Sequence, residues 1–430
     1  MAGTGPLKRR GGFVRTAGAG ALAVLLSAGA LPTAAAAPAD APAPAPRGPA
    51  VAAGTTRLLS AAADGGQADG PSGRPVVSAD GRVVAFMSQA TNLVAGDTND
   101  RSDLFVRDLR GGELRRVVDP HGEISSPTLS ANGRYVAYTV RDDEGTAVFV
   151  RDLWKGGTER ADVDLPMQHI DAHAPTVSAD GRTVAFAVLG TDSTRTGAQA
   201  VYVRDLRAQR TELVSFPAEQ DETFLGFRAP TLSADGQRVA YQYTHGTPPR
   251  GDWSDIYVHD RGTGGETQID TPHDGSPADG AAVNPLFSAD GSTVAFDSSA
   301  SNLVPGRDPN SSHNPFVCDL RTGTLKRVDA VLPGPEGVLS VDGVSADGSK
   351  LLLDTWPILT VEDAEYVRDL RTGSNILVSP DKDGRPGNAI DARTDAAART
   401  VVFSGFDSAH FVADDTNGVA DVFVFVRKKR

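Results

Sequence analysis

The sequence has one cysteine in 430 residues, Cys318, so an internal disulfide is excluded. A chain of this length buries enough apolar surface to fold without one. The sequence also lacks the paired Cys or His spacings of a zinc site and the Gly-x-Ser-x-Gly turn of many serine hydrolases. Because no catalytic motif accompanies Cys318, we interpret it as a structural residue.

Positive charge is in short supply. The formal net charge is −13, and it becomes −17 if the four basic residues near the N-terminus, Lys8, Arg9, Arg10 and Arg15, are removed by processing. An acidic protein is repelled by phosphate backbones and anionic headgroups. Nucleic acid and anionic membrane surfaces are therefore poor candidate partners, and we expect neither a nucleic-acid ligand nor a membrane span.

Long apolar runs are missing beyond the N-terminus. Residues 1–37 combine basic residues, the short apolar run 21–26 and four consecutive alanines, a pattern that predicts a secretory signal peptide rather than a membrane span. Arg9-Arg10 leaves two export routes open, general secretion and twin-arginine export. No cysteine lies in residues 27–54, directly after the apolar run, so we expect no lipid anchor. The Ala/Pro-rich residues 38–54 predict a disordered spacer. The sequence thus predicts a secreted protein.

What the sequence does contain is a repeated turn. Six copies of Ser-Ala-Asp-Gly, one of them with Asn for Asp, recur every 48 to 57 residues. They begin at Ser78, Ser130, Ser178, Ser233, Ser288 and Ser345. A period near 50 residues indicates a repeat architecture in which each copy is one supersecondary unit.

Each copy reads as four short strands. In the third copy, a short run enters the Asp-Gly turn, the apolar residues 183–186 follow it, and a second β-rich run, 201–203, ends at Asp205. A more polar run, 211–214, suits an outer edge. Four antiparallel strands in about 50 residues are typical of a β-propeller blade.

A seventh copy is present in altered form. Residues 399–403 match the second strand and 421–424 the third, but Asp-Ala-Ala-Ala replaces the usual turn at 395–398. The missing fourth strand is supplied by residues 56–60, which resemble the fourth strands of other copies. The sequence therefore predicts one all-β domain over 55–430, a seven-bladed propeller of four-stranded antiparallel blades closed by an N-terminal strand.

These repeats resemble the TolB-like and WD40-like (PD40-type) propeller repeats of bacteria, in which an aromatic-Ser-Pro-Asp-Gly turn precedes an apolar strand. Here Ala replaces the Pro, and Leu, Val or Phe precedes the Ser, over roughly residues 55–427. The resemblance implies the propeller fold. It leaves function open, because such propellers serve as scaffolds, receptors and accessory domains of enzymes.

Loop lengths predict which face binds a partner. The turns between strands one and two and between three and four are short, whereas the connections between strands two and three and between blades are longer and vary between copies. Both longer classes emerge on one side of a propeller, which we name the long-loop face. The segment 216–228, with Phe224 and Phe227, is the candidate for aromatic contacts on this face.

Two functions remain open. The first is a non-catalytic, monomeric module that binds a protein, peptide or cell-wall glycan at the cell surface. The second is a hydrolase or lyase acting on polysaccharide or peptide at the funnel mouth, for which four residues expected just before innermost strands are the polar candidates: His173, Arg228, Asn284 and Asp391. Convergence of several His and carboxylate groups would favour the second function.

One acidic loop occurs twice. Asp97, Asn99 and Asp103 have the same spacing as Asp415, Asn417 and Asp421. An all-oxygen set of this kind suits Ca²⁺. The same residues also form ordinary turns, so calcium binding and a purely structural loop are both open interpretations.

Overall fold

The repeated turns close through their own side chains. In blade 1, the Ser78 hydroxyl donates to Asp80 Oδ1 (2.7 Å) and accepts the Val83 amide (2.9 Å). Gly81 adopts φ +68°, which glycine takes without strain. In blade 7, Asp395 replaces the serine and accepts the amides of Ala397 and Arg399. Each copy of the repeated sequence therefore stabilises the tight hairpin turn between the first and second strands of its blade.

The computed structural model describes residues 50–51, 54–62, 64–99, 101–143, 145–165, 171–191, 196–215, 224–247, 251–306, 313–329, 338–356, 364–405, 411–413 and 415–428. The predicted signal peptide, 1–37, lies outside this set. So does most of the predicted spacer, but Ala50 and Val51 pair in parallel with Ile376 and Leu377 of blade 6.

Seven antiparallel blades follow one another along the chain. Blade 1 consists of Ser72–Val77, Val83–Ser88, Asp103–Asp108 and Leu114–Val117. Blade 2 consists of Glu123–Leu129, Tyr135–Asp142, Gly145–Asp152 and Thr158–Arg160. Blade 3 consists of Asp171–Val177, Thr183–Thr191, Thr196–Asp205 and Arg210–Leu213. Blades 4 and 5 consist of Phe224–Leu232, Arg238–Thr247, Gly251–Asp260 and Gly265–Gln268; and Ala282–Phe287, Thr293–Ser298, Asn314–Asp319 and Thr324–Arg327. Blade 6 consists of Val338–Val344, Lys350–Trp356, Ala364–Asp369 and Asn375–Leu377, joined by Ala50–Val51. Blade 7 consists of Ala389–Thr394, Thr400–Gly405, Asp421–Arg427 and the N-terminal strand Gly54–Leu58.

The N-terminal strand closes the ring. Gly54–Leu58 runs antiparallel to Asp421–Arg427, with Thr56 opposite Phe425. The turns also bond to one another around the ring, and the Ala396 amide of blade 7 donates to the Ala79 carbonyl of blade 1 (3.0 Å). The predicted all-β, seven-bladed propeller with an N-terminal closing strand is confirmed.

The core lies within and between the blades. The second strands end their apolar runs in a fully buried large side chain, such as Phe86, and this ring usually stacks on an aromatic residue of the third strand, as Phe86 does on Phe105 (5.8 Å between centroids). Cys318 is 3% exposed in this core, and burial raises the pKa of its thiol to about 11. A buried, protonated thiol fits the structural role predicted for it.

Candidate functional site

The two faces of the ring differ in what their residues do. On one face, the repeated turns bond to the turns of neighbouring blades. On the long-loop face, the connections vary, but not as predicted from the sequence. Residues 89–102, 299–313 and 406–420 join the second and third strands of blades 1, 5 and 7, whereas blades 2 to 4 extend these strands into long hairpins with short connections. The prediction of long loops in every blade is wrong for blades 2 to 4.

Two blades lock their long loops in the same way. In blade 1, the Asp69 carboxylate accepts the amide and the hydroxyl of Thr91 (both 2.7 Å), and Asn92 donates to the Gln67 carbonyl (2.7 Å). In blade 5, Asp279 and Ser301 repeat the Asp–hydroxyl bonds (both 2.6 Å). These bonds fix two connections on the long-loop face before any ligand arrives.

The innermost strands share a bulge that the sequence analysis missed. A register shift interrupts the first strand of every blade, as between His173 and Thr176 in blade 3. In six blades the bulge holds a non-glycine residue at positive φ: Arg74, Ser126, Ala174, Ala229, Asn284 and Asp391. Proline follows five of these residues, and its missing N–H suits a bulge where the ladder is interrupted. The repeated X-Pro pair was the available signal.

The four polar candidates lie inside innermost strands, not before them as expected. His173 and Arg228 each immediately precede the bulge in the neighbouring blades 3 and 4. Burial lowers the pKa of His173; the Asp171 charge opposes this shift, and the Arg228 charge adds to it. The structure therefore brings His173 and Arg228 close enough to interact, with a neutral imidazole at neutral pH.

Asn284 is used to join two blades. Its amide donates to the Val341 carbonyl of blade 6 (2.7 Å) and to Asp297 Oδ2 (3.3 Å). Asp297 also accepts the Ser340 hydroxyl and the Val341 amide (both 3.0 Å). Burial raises the pKa of Asp297 to about 7. The side chain of Asn284 therefore has a structural role, in hydrogen bonds that join blades 5 and 6.

Asp391 occupies the bulge of blade 7 and is exposed. Burial raises the pKa of Asp342, and the negative charge of Asp391 raises it further. The positive charge of Arg393, whose Nη1 lies 3.8 Å from Asp342 Oδ1, opposes this increase. Glu365 lies beside Asp342 and is fully buried, so its pKa is raised well above its usual range, first by burial and then by the charge of Asp342. Sequence reasoning missed this acidic group because its members come from three separate strands.

The two aromatic candidates are not loop residues. Phe224 begins an innermost strand and pairs with His245. Phe227 is 3% exposed and packs on Tyr241 and Tyr243, with centroids 5.3 and 5.4 Å away. Phe227 is thus part of the blade core, and the residues 216–223 before it lie outside the described part of the chain.

Two exposed arginines lie on innermost strands and form no ion pair with a described residue. Arg74 and Arg228 are exposed on innermost strands, at and immediately before the bulge. Within the residues that the structure describes, no carboxylate forms an ion pair with either side chain. A guanidinium with free donors binds carboxylates and similar planar anions in a bidentate manner.

The acidic loops of blades 1 and 7 share two features among their described residues. Asn99 bonds to Asp103 (3.4 Å) as Asn417 bonds to Asp421 (3.0 Å), and Asp97 and Asp415 are buried in both. The described residues contain no group of three or more His, Cys, Asp or Glu side chains placed to hold a metal ion.

Comparison with known proteins supports the fold. Residues 53–221 match the family model described as the lipoprotein LpqB β-propeller domain. Oligogalacturonate lyase from Vibrio parahaemolyticus is similar in structure, with 13% identity and a TM-score of 0.55 over 88% of this chain and 98% of the lyase. The β-propeller domain of the Trilobed protease from Pyrococcus furiosus gives 12% identity and a TM-score of 0.55 over 83% and 93% of the two chains. No curated protein matches the chain.

TolB from Acinetobacter baumannii is also similar, with 16% identity and a TM-score of 0.42. The alignment covers 69% of this chain and 63% of TolB, so this chain spans less than two thirds of the length of TolB. The match to the LpqB propeller model covers less than half of this chain, and the solved structures show the propeller fold alone. The finer TolB-like assignment stays a prediction. No helix in the described ranges is long and apolar enough to span a membrane.

Proposed function

We propose that this protein is a secreted, non-catalytic propeller that binds a protein, peptide or cell-wall glycan through the long-loop face. Arg74 and Arg228 carry the proposal, because they are exposed on innermost strands and no described carboxylate pairs with them. In a chain with a net charge of −13, exposed arginines on innermost strands that form no ion pair with a described carboxylate favour a ligand that supplies the anion. We therefore favour acidic peptides and acidic glycans among these ligands.

His173 and the locked loops complete the proposed site. The neutral His173 beside Arg228 offers a hydrogen-bonding group that does not repel the arginine. The loops held by Asp69 and Asp279 lose little entropy when they contact a ligand. The opposite face is less suited to binding a ligand, because the backbone groups of its repeated turns already bond to one another.

Location is part of the proposal. Residues 1–37 predict export, and we propose that the protein acts outside the cytoplasm as a monomer. The matched family model is named for a lipoprotein, whereas residues 27–54, directly after the apolar run of this chain, contain no cysteine. Mass spectrometry of the mature protein distinguishes a free N-terminus from a lipid-modified one.

The test is a binding array of acidic and neutral peptides and cell-wall glycan fragments. We expect carboxylate-bearing ligands to bind, and the double variant Arg74→Ser, Arg228→Ser to weaken binding at least about tenfold, since each charged hydrogen bond contributes about 1.5–3 kcal/mol. Arg110→Ser, at an exposed tight turn, is the matched control and should bind as the wild type does. Equal binding by the double variant contradicts the proposal, and turnover of a ligand would replace it with the hydrolase or lyase function.

A further inference from the structure

The two acidic loops differ in one respect that their sequences do not show. In blade 1, the Arg116 guanidinium from the fourth strand lies between the two carboxylates, 3.0 Å from Asp97 Oδ1 and 2.7 Å from Asp103 Oδ2. The carboxylates are 8% and 6% exposed. Blade 1 thus supplies its own cation to a buried acidic pair.

Blade 7 has an apolar residue in the place of that arginine. Arg116 lies opposite Phe105 in blade 1, and Leu58 lies opposite the equivalent residue, Phe423, in blade 7. The fourth strand of blade 7 is the N-terminal strand Gly54–Leu58, which carries this leucine as its last residue. The same loop is therefore built around a cation in one blade and lacks that arginine in the other.

The acidic pair of blade 7 is more deeply buried than that of blade 1. Asp415 is 2% exposed and Asp421 is 0% exposed. Among the described residues, Asp421 is the one side chain that interacts with the Asp415 carboxylate: no other group donates a hydrogen bond to either oxygen, and no arginine or lysine forms an ion pair with it. Burial and the charge of Asp415 raise the pKa of Asp421 to about 6, against hydrogen bonds from Ser60 and Asn417. A buried carboxylate that accepts no hydrogen bond from a donor group is costly, and no basic side chain among the described residues offsets this cost.

We propose that Asp415 and Asp421 bind one divalent cation, Ca²⁺, in the position that the Arg116 guanidinium takes in blade 1. Carboxylate, hydroxyl and water oxygens are the ligands that Ca²⁺ prefers. Two carboxylates are few for such a site, so we expect a dissociation constant of about 10⁻⁴–10⁻³ M, as in extracellular modules. The inference is independent of the proposed ligand-binding function.

The cation would strengthen the closure of the ring. The Ser60 hydroxyl donates to Asp421 and accepts the Val422 amide (3.0 Å), so the segment after the closing strand contacts the site directly. The amide of Thr416 donates to Gln67 (3.2 Å), and Asn417 donates to the Ala68 carbonyl (3.1 Å). A bound cation would therefore tie residues 60–68 to blade 7.

The experiment is a calcium titration of the full mature protein after treatment with chelator. Calorimetry should show one site per chain, and 10 mM Ca²⁺ should raise the melting temperature by about 2 °C through mass action. Asp415→Asn should abolish both effects and, without calcium, should melt above the wild type, because it removes an uncompensated charge. Leu58→Arg, which supplies the blade 1 cation, should also abolish calcium binding.

Asp97→Asn is the matched control in blade 1. It should keep the calcium response and melt below the wild type, because Arg116 loses a partner. The absence of calcium binding to the wild type would overturn the proposal. It would mean that Asp415 and Asp421 share a proton, which removes one of their two negative charges. Binding that survives Asp415→Asn, or that Asp97→Asn abolishes, would equally overturn it.

Discussion

Gly181 of blade 3 packs against the ring of Tyr135 in blade 2, so closely that a Cβ at this position would overlap the ring. Gly181 also has φ +75°, a conformation that glycine adopts freely. The turn glycine is therefore required twice, once for the hairpin and once for the contact between blades. Similar contacts recur around the ring, as between Gly236 and Thr183.

This relationship predicts the effect of adding a methyl group. Gly181→Ala should destabilise the protein by about 2–4 kcal/mol, because it combines left-handed strain with overpacking. Gly323→Ala is the control: φ is +68°, but a Cβ there would have nothing within 4 Å. It should cost only the strain, about 1–2 kcal/mol. Denaturant unfolding of both variants measures the difference, and equal losses would contradict packing between blades at Gly181.

Ring closure can be tested by truncation. Deleting residues 1–60 removes the strand Gly54–Leu58 and exposes the edge of blade 7, so the melting temperature should fall by several degrees. Deleting residues 1–49 leaves that strand in place and should change little. Differential scanning calorimetry compares the two variants. Equal melting temperatures would mean that the N-terminal strand does not stabilise the ring.

The sequence predicted this fold well because each blade repeats the same local signals. Hairpin turns, apolar second strands and the strand that completes blade 7 can all be identified without knowing the distant contacts. The sequence predicted the candidate site less well. The partners of Asn284 and Asp342 come from other blades or strands, and periodicity does not report such contacts. The positive-φ bulges were missed because Arg74-Pro75 and its counterparts read as ordinary strand starts.

Phe227 shows how loop and core can be confused in a sequence. Phe227→Ser should destabilise the protein by about 3–5 kcal/mol, because it removes a buried ring packed on Tyr241 and Tyr243. Trp154→Ser, at a side chain that is 69% exposed, should cost no more than about 1 kcal/mol, because it removes only a contact with the Arg134 guanidinium, 5.1 Å from the ring centroid. Chemical denaturation measures both. A Phe227 variant as stable as the wild type would contradict the core position.

Asp297 predicts a pH dependence of defined sign. Its folded pKa of about 7 lies above the ordinary carboxyl value, so its stabilising contribution is complete below about pH 4 and is lost as pH rises through 7. Asp297→Asn stays neutral, so the stability advantage of the wild type over this variant should shrink by about 2–4 kcal/mol between pH 4 and pH 8.

Asp152 provides the opposite case. Hydrogen bonding to Arg134 holds the pKa of Asp152 at about 2, so its contribution is present above the ordinary carboxyl range and is lost as pH falls through 2. The advantage of the wild type over Asp152→Asn should therefore stay constant from pH 5 to pH 8. The same comparison tests Asp297. If the difference in unfolding free energy between the wild type and Asp297→Asn is also constant from pH 5 to pH 8, Asp297 is not buried as a neutral acid.

The binding site itself is tested most directly by amide hydrogen exchange of the protein with and without a ligand from the array. The account predicts slower exchange in the innermost strands Asp171–Val177 and Phe224–Leu232 and at the locked loop around Asp69 and Thr91. It predicts no change in the repeated turns, such as Ser178 to Gly181. Protection confined to those turns, with the innermost strands unchanged, would contradict binding through the long-loop face.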